Sequence, residues 1–136
     1  MSLLSRKGLL AITAVVDIAV HARARPVSAK TLAQRNTLPP RHLEPVLQAL
    51  VREGILKGTR GPRGGYELGR ERTRITAEDI LRAAESLDEE ANPGVPDSPL
   101  LARIVLPAVA QAERAFAAAL AHITIEDLAK GADDIE

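Results

Sequence analysis

The stretch from Leu38 to Leu68, LPPRHLEPVLQALVREGILKGTRGPRGGYEL, decides the fold. Its first half places apolar residues at the spacing of a single helix face and then has Gly54, where a helix would end. Its second half contains two short strand patterns, 55–59 and 66–68, around a turn rich in glycine and arginine. The stretch therefore predicts a helix followed by a β-hairpin.

Prolines set the start of this helix. Proline lacks the backbone amide and disfavours helical geometry in the residue before it, so we expect the helix to begin between Pro40 and His42. Pro45 is expected to lie in the first turn, where a missing amide costs nothing. Arg41, His42 and Glu44 would then project from that turn.

A helix with polar residues at its start, followed by a basic hairpin, suits duplex DNA. An α-helix fits the major groove, and arginines on a thin hairpin reach phosphates or the minor groove. A second helix is predicted upstream, capped by Ser28 and closing at Asn36 or Thr37, so residues 28–52 have the length of a helix-turn-helix. Gln34 and Arg35 would lie near the DNA backbone. The alternative is a surface helix and a solvated turn.

Leu43-Glu44 and the hairpin pattern Arg60-Gly61-Pro62-x-Gly64-Gly65-Tyr66-x-Leu68 resemble the IscR/NsrR family of bacterial winged helix-turn-helix regulators, over residues 5–128. The resemblance implies a mostly α fold with a small β-hairpin, the wing, and a long C-terminal dimerisation helix. It also implies that Glu44 contacts bases and that Arg60 enters the minor groove. The predicted DNA-binding residues are Ser28, Arg41, His42, Glu44, Arg60, Gly61, Pro62, Arg63 and Gly64.

Cluster-bearing members of that family carry three cysteines before the dimerisation helix, whereas this chain contains no cysteine. Arg103 falls about where a further ligand of the relatives would lie. Thiolates are the usual ligands of iron–sulfur clusters, so we expect no cluster, no metal and no cofactor. The sequence does not decide whether the regulator responds to a small ligand, to a partner protein or to no effector.

The formal net charge of zero hides a division between the two halves of the 136-residue chain. Residues 1–75 contain fourteen Lys and Arg against five Asp and Glu, and residues 76–136 contain four against thirteen. A basic half of this kind is expected to meet a polyanion. We predict a winged helix-turn-helix domain at 1–87, a linker loop at 88–98, and a dimerisation helix with a short last helix at 99–136.

Helical periodicity accounts for most of the remaining chain. The first helix, from Ser5 to about Arg23, is predicted to bury Leu9, Ile12, Val16, Ala19 and Val20. Thr76 starts another helix with a capping-box pattern, and Thr124 starts a short last helix before an acidic tail that is expected to fray.

A long helix is predicted from Ser98 and Pro99, with a kink or interruption at Pro107. Small and apolar residues then recur at heptad-like spacing, which favours a seam between two helices. This seam consists of Val109, Ala112, Phe116, Ala119 and Ile123. It either pairs two subunits, which we favour, or packs on its own domain.

The sequence gives no support for catalysis. The three histidines have no serine or aspartate partner in a recognisable motif, and no Walker lysine follows the glycines of the hairpin. No run of eighteen apolar residues and no export signal is present, so no membrane span is expected and the cytoplasm is the expected location. We predict a dimeric, sequence-specific transcriptional repressor on a pseudo-palindromic operator. The alternative is a winged-helix module that acts through a protein partner.

Overall fold

The computed structural model describes residues 5–85 and 98–135 and confirms a mostly α fold with one small β-hairpin. Two short helical segments, a 3₁₀ turn at Arg72–Arg74 and a π-helical turn at Leu101–Val105, accompany the main elements. The main elements are α1 (Arg6–His21), α2 (Ala29–Asn36), α3 (Pro40–Arg52), β1 (Leu56–Thr59), β2 (Gly65–Leu68), α4 (Ala77–Glu85), α5 (Leu106–Leu120) and α6 (Ile125–Ile135).

The core is built from leucine, isoleucine, valine and alanine around α1, which contacts α2, α3, α4, β2 and α6. Ser5 caps α1 as predicted, because its hydroxyl accepts a hydrogen bond from the Gly8 amide at 2.9 Å. The predicted buried stripe of α1 is partly wrong, since Leu9 is 52% exposed and the buried face runs instead through Ala11, Val15 and Ile18. Small alanines let neighbouring helices approach closely, so the face that packs is the less bulky one.

Helix α3 begins at Pro40, within the predicted window, and Gly54 follows its end with a φ of +78°. The prediction that Pro45 lies in the first turn is wrong, because it is the sixth residue of the helix. An interior proline costs about 3 kcal/mol. The buried face offsets that cost, since Leu43, Leu47 and Leu50 are all fully buried.

The hairpin is the wing of the fold. Strands β1 and β2 are antiparallel, with Leu56 opposite Leu68 and Thr59 opposite Gly65. Val27 adds a bridge on the other edge of β2, where its amide donates to the Tyr66 carbonyl at 2.9 Å and its carbonyl accepts from the Tyr66 amide at 2.7 Å. The wing is thereby joined to the residue that precedes the cap of α2.

Reciprocal capping boxes confirm the predicted starts of α4 and α6. The Thr76 amide and hydroxyl bond the Asp79 carboxylate and amide, and Thr124 pairs with Asp127 in the same way. The acidic tail is helical through Ile135 rather than frayed. Helix α6 packs on α1, with Ile125 in the common core.

The long helix has an irregular turn just before Pro107, where the sequence predicted a kink or an interruption. A π-helical turn at Leu101–Val105 precedes α5, and Pro107 lies in the first turn of α5. A wider turn accommodates a residue that cannot donate the usual hydrogen bond. The predicted linker loop lies almost entirely outside the described residues. No helix among the described residues is long and apolar enough to cross a membrane.

Candidate nucleic-acid interface

The exposed face of α3 carries a single polar stripe. Arg41, Glu44, Gln48 and Arg52 are all exposed and recur at intervals of three or four residues, so they lie in line along the helix. His42 is also exposed in the first turn. The opposite face is buried, and this fixes the rotation of the helix about its axis.

The tip of the wing presents Arg60 and Arg63, both exposed, on a glycine-rich turn. Gly61 has a φ of +111°, a conformation that favours glycine, and its carbonyl accepts a hydrogen bond from the Gly64 amide at 2.9 Å. Pro62 lies between them and is exposed. The turn is therefore narrow, and both guanidinium groups project from a thin edge.

Ser28 stands where the wing meets α2. Its hydroxyl caps α2 by accepting a hydrogen bond from the Thr31 amide at 3.1 Å, as predicted. The preceding residue, Val27, is the one bonded to β2. A β-carbon at Gly65 would lie 2.5 Å from the Val27 carbonyl carbon, so the close approach of the two backbones requires glycine. The wing and the N-terminus of α2 thus form one rigid surface.

A groove of about 690 Å³ separates the second half of α3 from the wing. Its walls include Ser28 from the start of α2, Gln48 and Arg52 from α3, and Arg60 from the wing. Tyr66 also lines the groove and is half-buried. The groove brings together predicted residues from α2 and the wing, and adds Gln48 and Arg52, which the sequence reasoning did not single out.

The environment of Tyr66 links the groove to the first half of α3. Burial raises the pKa of the Tyr66 phenol above 10.0, and the negative charge of Glu44 raises it further. The charge of a nearby carboxylate disfavours the ionised form of a phenol. The electrostatic effect of Glu44 therefore extends to Tyr66 of the wing.

Four arginines of this surface have no carboxylate partner among the described residues. Several cations outside it pair with carboxylates, for example Arg70 with Asp79 at 3.6 Å and Arg72 with Glu126 at 3.7 Å. None of the ion pairs between described residues involves Arg41, Arg52, Arg60 or Arg63. Guanidinium groups without internal partners are available to bind an anion such as a phosphate.

A buried polar cluster behind the surface was missed by the sequence reasoning. Asp17 of α1 is 6% exposed and accepts hydrogen bonds from Arg35 at 2.9 and 3.0 Å and from the Asn36 amide at 2.7 Å. His21 Nδ1 lies 3.5 Å from the same carboxylate. Arg35, which we expected near the DNA backbone, is instead bonded to α1. We call Asp17, Arg35 and Asn36 the α1–α2 clamp.

The predicted dimerisation residues lie along a partly exposed face of α5 and just beyond it. No residue of α5 is fully buried within the protomer. Ala112 and Ala119 are exposed, Val109 and Phe116 are half-buried, and Ile123, which follows the helix, is 38% exposed. The adjacent Val105 and Leu106 are 41% and 42% exposed. An apolar strip therefore runs along the long helix, and the other described elements cover it only in part.

Metal-binding chemistry finds no support in the described ranges 5–85 and 98–135. They contain no group of three or more His, Asp or Glu side chains that could hold a metal ion. Arg103, near the position of a ligand in cluster-bearing relatives, lies in the π-helical turn and is exposed.

Comparisons with known proteins agree on one group. The sequence pattern of the Rrf2 family, described as "Iron-dependent Transcriptional regulator", matches residues 4–131. The chain is 36% identical over 86 residues to the HTH-type transcriptional regulator IscR of Xenorhabdus nematophila, which is 62% of this chain and 52% of that protein. It is 35% identical over 127 residues to slr0846, a candidate HTH-type transcriptional regulator of Synechocystis sp., covering 92% of this chain and 86% of that protein.

The fold is similar to that of CymR (YrzC), the global cysteine regulator of B. subtilis. The two structures have a TM-score of 0.72 and 33% sequence identity, over 96% of this chain and 98% of that one. The chain spans about half the length of the IscR relative that it matches.

Proposed function

Since the chain belongs to the Rrf2 family of transcriptional regulators, we propose that it is a dimeric, sequence-specific DNA-binding protein that represses transcription. The family consists of regulators rather than enzymes. In this proposal α3 enters the major groove, the wing reaches the minor groove, and the start of α2 meets the phosphate backbone. Ser28, Arg41, His42, Glu44, Arg60, Gly61, Pro62, Arg63 and Gly64 are the proposed contact residues.

The observation that carries this proposal is the unpaired basic surface on α3 and the wing. Arg41, Arg52, Arg60 and Arg63 are exposed and make no ion pair among the described residues. Phosphate contacts supply most of the affinity of a DNA-binding protein, and base contacts supply its specificity. Glu44 is suited to contact a base, because a carboxylate accepts a hydrogen bond from the amino group of cytosine.

The partly exposed apolar strip on α5 supports the proposal that the protein dimerises through the long helix. Val109, Ala112, Phe116, Ala119 and Ile123 share one side, and small residues let two helices approach closely. A symmetric pair of helices would present two copies of α3 to two half-sites of a pseudo-palindrome. In this proposal the DNA-binding domain ends at residue 87, and a linker to residue 98 connects it to the dimerisation region.

We further propose that the protein works in the cytoplasm and does not sense through an iron–sulfur cluster. The family description names iron, but the chain has no cysteine to supply thiolate ligands. The His, Asp and Glu residues of the described segments do not replace them. A small ligand or a protein effector acting on the junction between the head and the long helix would alter the spacing of the two heads.

The test is binding of the purified chain to fragmented genomic DNA across a range of salt concentrations, with sedimentation to establish the oligomeric state. We expect a dimer whose log affinity falls with log salt by about one unit for each phosphate contact. Transcription from a promoter that contains the recovered site should decrease when the protein is added. A monomer without duplex affinity at low salt would refute the proposal and favour a module that binds a protein partner.

A further inference from the structure

Gln48 lies one helical turn beyond Glu44 on the exposed face of α3. It is exposed, and it makes no hydrogen bond with another residue in the part of the chain that the structure describes. It also lines the groove that contains Arg60 of the wing and Ser28 of α2. Gln48 therefore stands between the start of α3 and the wing, within the surface proposed to meet DNA.

The orientation of Gln48 is fixed by the core. Its neighbour Leu47 is fully buried, as are Leu43 and Leu50 one turn on either side. Rotating α3 about its axis to turn Gln48 away would expose these leucines to water, which the hydrophobic effect opposes. The glutamine is thus held on the same line as Glu44.

The two side chains have different hydrogen-bonding chemistry. A carboxylate only accepts hydrogen bonds, whereas a carboxamide donates and accepts at once. In the major groove adenine alone offers an N7 acceptor beside an N6 amino donor, which a glutamine amide matches with two parallel hydrogen bonds. Glu44 and Gln48 would therefore select different bases.

We propose that Gln48 is a second base-reading residue, and that it selects adenine near the base contacted by Glu44. One helical turn advances about 5.4 Å, and successive base pairs are separated by about 3.4 Å. The two positions should then be one to two base pairs apart. This inference rests on the proposed function, and it adds a specificity determinant to the same surface.

The experiment selects bound duplexes from a randomised pool with wild type, Gln48→Ala, Glu44→Ala and the control Gln111→Ala. Gln111 is an exposed glutamine on α5, so its substitution reproduces the chemical change away from the proposed surface. We expect Gln48→Ala to lose roughly 10-fold of an adenine preference at one position and to keep the preference that Glu44→Ala loses. Its affinity for a duplex without the site should equal that of wild type.

Several results would overturn the inference. An unchanged preference at every position in Gln48→Ala would show that Gln48 reads no base. An equal loss of affinity on all sequences would assign it to the phosphate backbone instead. If wild type itself enriches no sequence, the proposed function fails, whereas a wild-type motif that changes only in Glu44→Ala refutes this inference alone. Thermal melting of each variant verifies that the fold is intact.

Discussion

Replacement of Asp17 by alanine tests whether the α1–α2 clamp holds the helix-turn-helix in place. The change removes the acceptor of three side-chain hydrogen bonds, two from Arg35 and one from Asn36. A hydrogen bond to a charged group contributes about 1.5–3 kcal/mol to the free energy of unfolding. The Arg35 side chain is 32% exposed and can recover contacts with water, so the bonds do not add fully. We expect the free energy of unfolding to decrease by about 2–4 kcal/mol, which is similar to the cost of breaking a buried ion pair.

Thermal unfolding followed by circular dichroism measures this loss. For a chain of this size the melting temperature should fall by roughly 10 °C. Asp17→Asn retains one acceptor oxygen without the charge and should fall between wild type and alanine. The matched control is Asp133→Ala, an exposed aspartate of α6, which should change stability by less than about 0.5 kcal/mol. Equal melting of Asp17→Ala and Asp133→Ala would refute the assigned role of the clamp.

Three further predictions concern the wing and the long helix. Gly65→Ala would place a β-carbon 2.5 Å from the Val27 backbone and should lower both the stability of the protein and its affinity for duplex DNA. The control Gly131→Ala adds a β-carbon in open space within α6 and should stabilise the protein by roughly 0.5–1 kcal/mol. Calorimetry measures the stability of both variants, and equal effects would contradict the close packing at Gly65. The absorbance of the phenolate should give Tyr66 a midpoint above 10.0, lowered in Glu44→Gln. A raised pKa means that the stability contributed by Tyr66 is present below pH 10 and lost as the pH rises through the folded pKa, so a midpoint at or below 10 would oppose this account. Ala112→Glu places a charge on an exposed alanine of the proposed seam, so it should leave the folded protomer intact but dissociate the dimer; an unchanged sedimentation coefficient would place the interface elsewhere.

The elements that the sequence predicted well are those with local signals. Glycines and prolines marked the wing, and hydroxyl and carboxylate pairs marked helix starts such as Thr76. The α1–α2 clamp had no such signal, because Asp17 and Arg35 are eighteen residues apart and meet only through tertiary packing. Pro45 is a second case in which tertiary packing was decisive. A local rule placed this proline at the start of a helix, but packing of α3 on the core overrode that rule.

The prediction of which residues of α1 are buried was partly wrong for a different reason. The helix has two adjacent faces rich in apolar residues, one through Leu9 and one through Ala11 and Val15. Periodicity identifies such faces but does not say which neighbour will cover them. In the structure the smaller face meets the core and Leu9 stays exposed. The stripe therefore shifted by part of a turn although the helix itself was predicted correctly.

The position of Tyr66 gives the protein a natural optical reporter. It is the only tyrosine in a chain without tryptophan, and it lines the groove between α3 and the wing, where it is half-buried. Nearly all intrinsic fluorescence therefore originates at one known point of the proposed interface. A duplex that fills the groove would change the emission directly, whereas an effector bound at the long helix would change it only by moving the wing. Tyrosine fluorescence could thus follow DNA binding in the groove and effector-induced movement of the wing separately, in real time and without a label.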